Sequence, residues 1–161
     1  MQQLVCKTQQ YAWGKIGLTS KVAELASCQD KTLKINEDSP YAELWMGTHV
    51  NGPSYIANTN TSLKEYLKQR ELPYLFKVLS VNKCLSIQAH PNKDLAQQLH
   101  AERPHIYKDP NHKPEIAIAL TPFQAMSGFR PMDQIASFLQ QIPPFYNIIG
   151  QEHAQSFINI I

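Results

Sequence analysis

Apolar and polar residues alternate along several short stretches of the chain. This period-two pattern predicts strands over residues 4–9, 42–46, 75–79, 84–89 and 115–120. The last stretch alternates most cleanly, with Ile116, Ile118 and Leu120 on one face. Residues 123–129 allow a further strand, diluted by glycine and polar residues. Helical spacing separates these segments. Val22, Ala23 and Leu25 after a Thr-Ser start predict a helix over residues 19–26. Ser62-Leu-Lys-Glu65 is a capping box, in which hydroxyl and carboxylate satisfy amides of the first turn, and it opens a helix over 62–69. Asn92 caps a helix reaching residue 100, and Pro131 suits the first position of one over 131–141. Residues 151–161 are amphipathic and run to Ile160-Ile161 without glycine, cap or polar tail, which leads us to expect a piece of a longer protein. The elements together predict a fold that is mainly β with α. The switch from strand-like to helical patterns places an expected boundary between residues 1–130 and 131–161.

Composition narrows the picture only a little. The 161 residues suffice for one domain with a real core, and a second complete one would be a squeeze. A formal charge of +2 gives no electrostatic reason to expect nucleic acid or a membrane surface as partner. No apolar run approaches the roughly 18 residues of a membrane span. The first residues lack a basic segment followed by an apolar one, so no signal peptide is expected, and the Asn60-Thr61-Ser62 sequon then carries no meaning. Cys6, Cys28 and Cys84 form an odd set without metal-ligand or disulfide spacing, which fits a reducing cytoplasm.

The chemistry concentrates in Leu85-Ser-Ile-Gln-Ala-His-Pro-Asn-Lys93. On a strand, Gln88 and His90 project to one side while Ile87 and Ala89 project to the other. An amide oxygen and an imidazole nitrogen side by side are half of a metal site, and Glu115, after the polar run Asn111-His-Lys-Pro114, is the candidate third ligand. Mixed nitrogen and oxygen donors suit Zn²⁺. By spacing alone, Gln-x-His more often describes a half-exposed polar strand face than a ligand pair. His100 and His105 flank Arg103-Pro104 and read as a solvated loop; His49 closes a turn, and His112 lies near Glu115 in sequence. Gly14-Lys-Ile-Gly17 lacks the spacing and ending of a phosphate loop. Trp13 and Trp45 read first as packing residues, with an aromatic beside a sugar pocket as the alternative. From Lys77 to Lys113, six Lys or Arg residues stand against Asp94, Glu102 and Asp109, an excess that suits a phosphorylated small molecule or simply a basic surface.

A resemblance decides among these. Tyr11-Ala-Trp-Gly14, Pro40-Tyr-Ala-Glu-Leu-Trp-Met-Gly-Thr-His49, Leu72-Pro-Tyr-Leu-Phe-Lys-Val-Leu-Ser80, Leu85-Ser-Ile-Gln-Ala-His-Pro-Asn-Lys93, Asn111-His-Lys-Pro-Glu-Ile-Ala-Ile-Ala-Leu-Thr-Pro-Phe-Gln124 and Gly128-Phe-Arg-Pro131 resemble, in this order, the type I phosphomannose isomerases. The resemblance implies a partial cupin-type β-sandwich (jelly roll) over residues 1–130, followed by the start of a helical domain. It implies one zinc ion held by Gln88, His90 and Glu115, with a fourth ligand, a histidine, expected from sequence beyond residue 161. Lys113 is then a catalytic and substrate-binding candidate, with Lys93 and Trp13 as further substrate-binding candidates. The implied reaction interconverts mannose 6-phosphate and fructose 6-phosphate, feeding mannose into nucleotide-sugar synthesis. Two other classes stay open: a short non-catalytic module that binds metal or sugar phosphate, and an interaction module without metal.

Overall fold

The computed structural model describes residues 2–161, which divide into two compact units between Ala89 and His90. In the first, the single strand expected over residues 4–9 is split into β1 (Leu4–Val5) and β2 (Lys7–Gln9). The break falls at Cys6, whose backbone pairs with a side chain instead of a strand. Its N–H donates to Gln29 Oε1 at 2.9 Å and its carbonyl accepts from Gln29 Nε2 at 2.8 Å. Then come β3 (Lys15–Ile16), a 3₁₀ turn at Gly17–Thr19, α1 (Lys21–Gln29), β4 (Pro40–Tyr41), β5 (Glu43–Met46), β6 (Tyr55–Ile56), α2 (Leu63–Tyr66) and β7 (Phe76–Leu79). All pairings are antiparallel: β1 with β6, β3 with β4, and a three-stranded sheet in the order β2-β5-β7.

Alternation along β5 sorts its side chains into two chemistries. Leu44 and Met46 join Val22, Ala23, Tyr41 and Val78 in the core under α1. Glu43 and Trp45 point to the other face, where the register sets Trp45 opposite both Lys7 and Lys77. The helix itself is fixed by a buried cap. Ser20 Oγ accepts from the amides of Val22 (3.1 Å) and Ala23 (3.4 Å) and donates to the Tyr41 carbonyl at 2.7 Å. Ser80 Oγ accepts from the Lys21 amide at 3.2 Å, so two hydroxyls from different segments satisfy the first turn. Gly14 is required by closeness: a Cβ there would lie 2.7 Å from the Cα and N of Ala42. Gly17 adopts φ +50° against Glu37. The Gly14-Lys-Ile-Gly17 spacing is thus a packing feature.

The capping box forms as its spacing predicts: Ser62 Oγ accepts from the Glu65 amide (3.2 Å), and Glu65 Oε2 accepts from the Ser62 amide (2.8 Å). Its helix ends earlier than residue 69, because Lys68 and Gln69 turn into the left-handed region at φ +55° and +65°.

The second unit contains α3 (Lys93–Glu102), capped by Asn92 Oδ1 accepting from the Leu95 amide at 2.9 Å. It ends in α4 (Met132–Gln141), α5 (Pro143–Ile149) and α6 (Gln151–Ile160), which pack on one another around Leu139 and Ala154. Pro131 stands just before α4 with ψ 140°, one position earlier than expected. The sequence reading missed α5, which begins Pro143-Pro144 and is set off from α6 by Gly150 at φ 88°.

Three strand expectations fail. Residues 84–89, 115–120 and 123–129 have no regular structure, and Ile87, Ile116 and Phe129 are 100%, 90% and 98% exposed. Among the described residues no ladder partner lies beside them, and a strand without a neighbour to pair its N–H and C=O groups is not stable in water. Alternation marks a segment that can be a strand; only a partner makes it one.

Two substitutions test the first unit. Ser20→Ala removes the cap and leaves the buried Tyr41 carbonyl without its donor, which should cost about 1–2 kcal/mol in urea unfolding followed by tryptophan fluorescence. An unchanged unfolding midpoint would show that the cap carries no stability. Gly14→Ala drives a methyl into backbone and should cost about 1–3 kcal/mol. Wild-type stability in that variant would mean that the approach of residues 14 and 42 is not needed.

Candidate metal centre

The candidate ligands sit on irregular chain. Gln88 Nε2 donates to Ser86 Oγ at 3.0 Å, and Ile87 between them is fully exposed. Two residues on, in the second unit, His90 faces the polar run that leads to Glu115. The His90 Nδ1 lies 2.7 Å from the Lys113 carbonyl oxygen and 3.9 Å from Glu115 Oε2. Residues 23 and 25 positions apart in sequence thus meet without a ladder between them. The imidazole is partly buried and the Glu115 side chain largely exposed, at 29% and 65%.

The structure therefore brings together His90, the backbone of Lys113 and the carboxylate of Glu115. Lys93 is exposed in the first turn of α3. Trp13 lies in the first unit, stacked on Tyr11 with ring centroids 5.8 Å apart; its carbonyl accepts from the amides of Asn82 and Lys83.

The donor set fits a zinc ion in kind, with an imidazole and a carboxylate near one another. Among the described residues no group of three or more His, Cys, Asp or Glu could hold a metal. Among donors of another kind, the Gln88 amide oxygen is chemically suited.

A second polar cluster went unread in the sequence. Glu43, only 7% exposed, accepts from Trp45 Nε1 at 2.6 Å and lies 3.6 Å from Lys77 Nζ. The Lys77 ammonium also stands 4.8 Å from the Trp45 ring centroid, and His49 meets that ring edge-on at 5.2 Å. Partial burial, and then the charge of Glu43, raise the Tyr11 phenol above its ordinary range. The legible signal was Glu43-Leu-Trp-Met46, whose alternation puts a carboxylate and an indole on one face. A cavity of about 330 Å³ beside β1, β2 and α1, lined by Cys6, Thr8, Gln29, Leu33 and Tyr41 among others, contains none of the candidate ligands. Burial pushes the Cys6 thiol up, partly offset by a hydrogen bond with Ser54, which disfavours the reactive thiolate.

Comparison with known proteins sets this geometry in context. The family description "Phosphomannose isomerase type I, catalytic domain" matches residues 1–132. The mannose-6-phosphate isomerase of Homo sapiens is 49% identical over 94% of this chain and 40% of its own length. That of Saccharomyces cerevisiae is 47% identical over 95% of this chain and 40% of its own. The chain therefore spans about 40% of the length of these curated relatives. A crystal structure of mannose 6-phosphate isomerase from Salmonella typhimurium, bound to its substrate (f6p) and to zinc, superposes with a TM-score of 0.70 at 34% identity. It covers 98% of this chain and 46% of the Salmonella chain. The fold is of the expected class, β with α, a partial cupin-type arrangement of small open sheets followed by helices. By sequence and by fold, the chain belongs to the type I phosphomannose isomerase family.

Proposed function

We propose that this chain supplies part of the catalytic site of a zinc-dependent aldose–ketose isomerase that interconverts mannose 6-phosphate and fructose 6-phosphate. The observation that carries the reading is the approach of the Glu115 carboxylate to the His90 imidazole at 3.9 Å, across an irregular segment, in a member of this family. Gln88, His90 and Glu115 hold the ion, one per chain, and the relatives' additional length supplies the fourth ligand. Residues 1–130 form part of the zinc-binding cupin-like domain, and residues 131–161 open a helical one, whose α4, α5 and α6 pack on one another. No helix among the described residues is long and apolar enough to cross a membrane, and we place the protein in the cytoplasm.

The reaction moves a proton between neighbouring carbons of the sugar, and negative charge develops on the oxygens as it does so. Bound zinc supplies Lewis acidity toward those oxygens. Lys113 brings an ammonium group into the same short segment as Glu115, where it stabilises developing negative charge. Lys93 adds positive charge for the phosphate, and Trp13 offers an aromatic face to the sugar ring.

A second reading has its own support: a chain covering about 40% of its relatives' length, with three proposed ligands, binds metal or sugar phosphate without turning it over. Assays of the 161-residue chain and of a version extended to the relatives' length separate the two. The extended protein should isomerise mannose 6-phosphate, lose activity to chelator and recover it with zinc, while the short chain should show no measurable conversion. In the extended protein, Glu115→Gln should abolish turnover and weaken zinc at least about tenfold, as expected when a charged ligand is lost. Lys113→Met should lower kcat by about a hundredfold, the scale of one electrostatic group, with zinc retained. Full zinc affinity in Glu115→Gln would remove Glu115 from the ligand set. Turnover by the short chain would refute the need for the additional length.

A further inference from the structure

The two residues that meet at 2.7 Å, His90 and Lys113, share a feature visible only once they are seen together: each immediately precedes a proline, Pro91 and Pro114. Steric clash with the following ring confines such a residue to extended or polyproline conformations, which limits where its carbonyl and side chain point. Neither residue lies in a helix or a ladder, so this confinement stands in for regular structure. The contact also has a definite chemistry. A backbone carbonyl has no proton to give, so in the neutral ring the proton must lie on Nδ1, and the lone pair of the ring lies on Nε2. Glu115 Oε2, at 3.9 Å from Nδ1, is too far to take that hydrogen bond.

We propose that Pro114 is a positioning residue that aims the Lys113 carbonyl at His90 Nδ1, fixes the Nδ1–H tautomer and so presents Nε2 as the metal-donating atom. The tautomer is a property of the chain itself; its use toward an ion rests on the zinc reading above. The Lys113 backbone thereby orients a ligand, apart from any work of its ammonium group. Pro114 also sets the direction in which the chain continues to Glu115, so that one rigid step serves both the ring and the carboxylate.

The test uses the 161-residue chain with ¹⁵N-labelled histidine, metal-free, at a pH where the rings are neutral, with the His90 signals assigned by their loss in His90→Gln. Long-range ¹H–¹⁵N spectra should show His90 as the Nδ1–H tautomer, the reverse of the preference of a histidine side chain free in water. Added zinc should then shift Nε2 and leave Nδ1 protonated. In Pro114→Ala the His90 pattern should become a mixture of tautomers. Zinc affinity, measured by competition with a chelating dye, should fall about 10–100-fold, as when an orienting partner of a ligand is lost. Backbone amide spectra that otherwise overlay the wild type exclude unfolding as the cause, and Pro91→Ala provides an independent variant with the same expected drift. A wild-type His90 protonated on Nε2, zinc bound at Nδ1, or a Pro114→Ala chain with unchanged tautomer and affinity would each overturn the proposal. If zinc moves neither nitrogen even in a chain extended to the relatives' length, the zinc reading fails, while the metal-free spectra still decide the tautomer.

Discussion

A stretch of extended chain becomes a strand only when a neighbour takes up its N–H and C=O groups, and this requirement separates the ordered sheets here from the irregular segments. In the first unit every short strand has an antiparallel partner, and where pairing lapses at Cys6 the amide of Gln29 takes both backbone groups. Buried Ser20 and Ser80 do the corresponding work at the start of α1. Backbone groups satisfied in these ways let Val22, Ala23, Tyr41 and Leu44 close into a core.

Around residues 84–89 and 115–120 the same requirement goes unmet among the described residues, yet the chemistry is not scattered. Pro91 and Pro114 follow the two residues of the His90–Lys113 hydrogen bond and restrict their backbone, and Glu115 lies 3.9 Å from the imidazole. Local stereochemistry thus does part of what a ladder does elsewhere. The difference is that a ladder buries apolar side chains as it forms, whereas Ile116 and Ile118 remain exposed on their segment.

The buried carboxylate of Glu43 illustrates a different balance. Removing a charge from water is costly unless it gains partners, and here the indole N–H of Trp45 and the ammonium of Lys77 supply them. Lys77 faces the Trp45 ring as well, so one cation serves both a carboxylate and an aromatic face. The cluster exists because the register sets Trp45 and Lys77 opposite each other on adjacent strands.

Much of this was legible in the sequence, for local reasons. The capping box at Ser62-Leu-Lys-Glu65, the Asn92 cap, the helical spacing of Val22 and Ala23 and the alternation of β5 are set by residues within a few positions of one another, so one sequence reveals them. The ligand candidates were legible because Gln88 and His90 lie two apart and Glu115 sits in a recognisable segment. Other features needed the folded chain. Which alternating stretches found partners, the use of Gly14 against Ala42, the split at Cys6 and the meeting of Glu43 with Lys77 all join residues far apart in sequence. The same holds for the Lys113 carbonyl on His90. Sequence pattern determined what each segment could become; long-range pairing, which no local period encodes, decided what it did become.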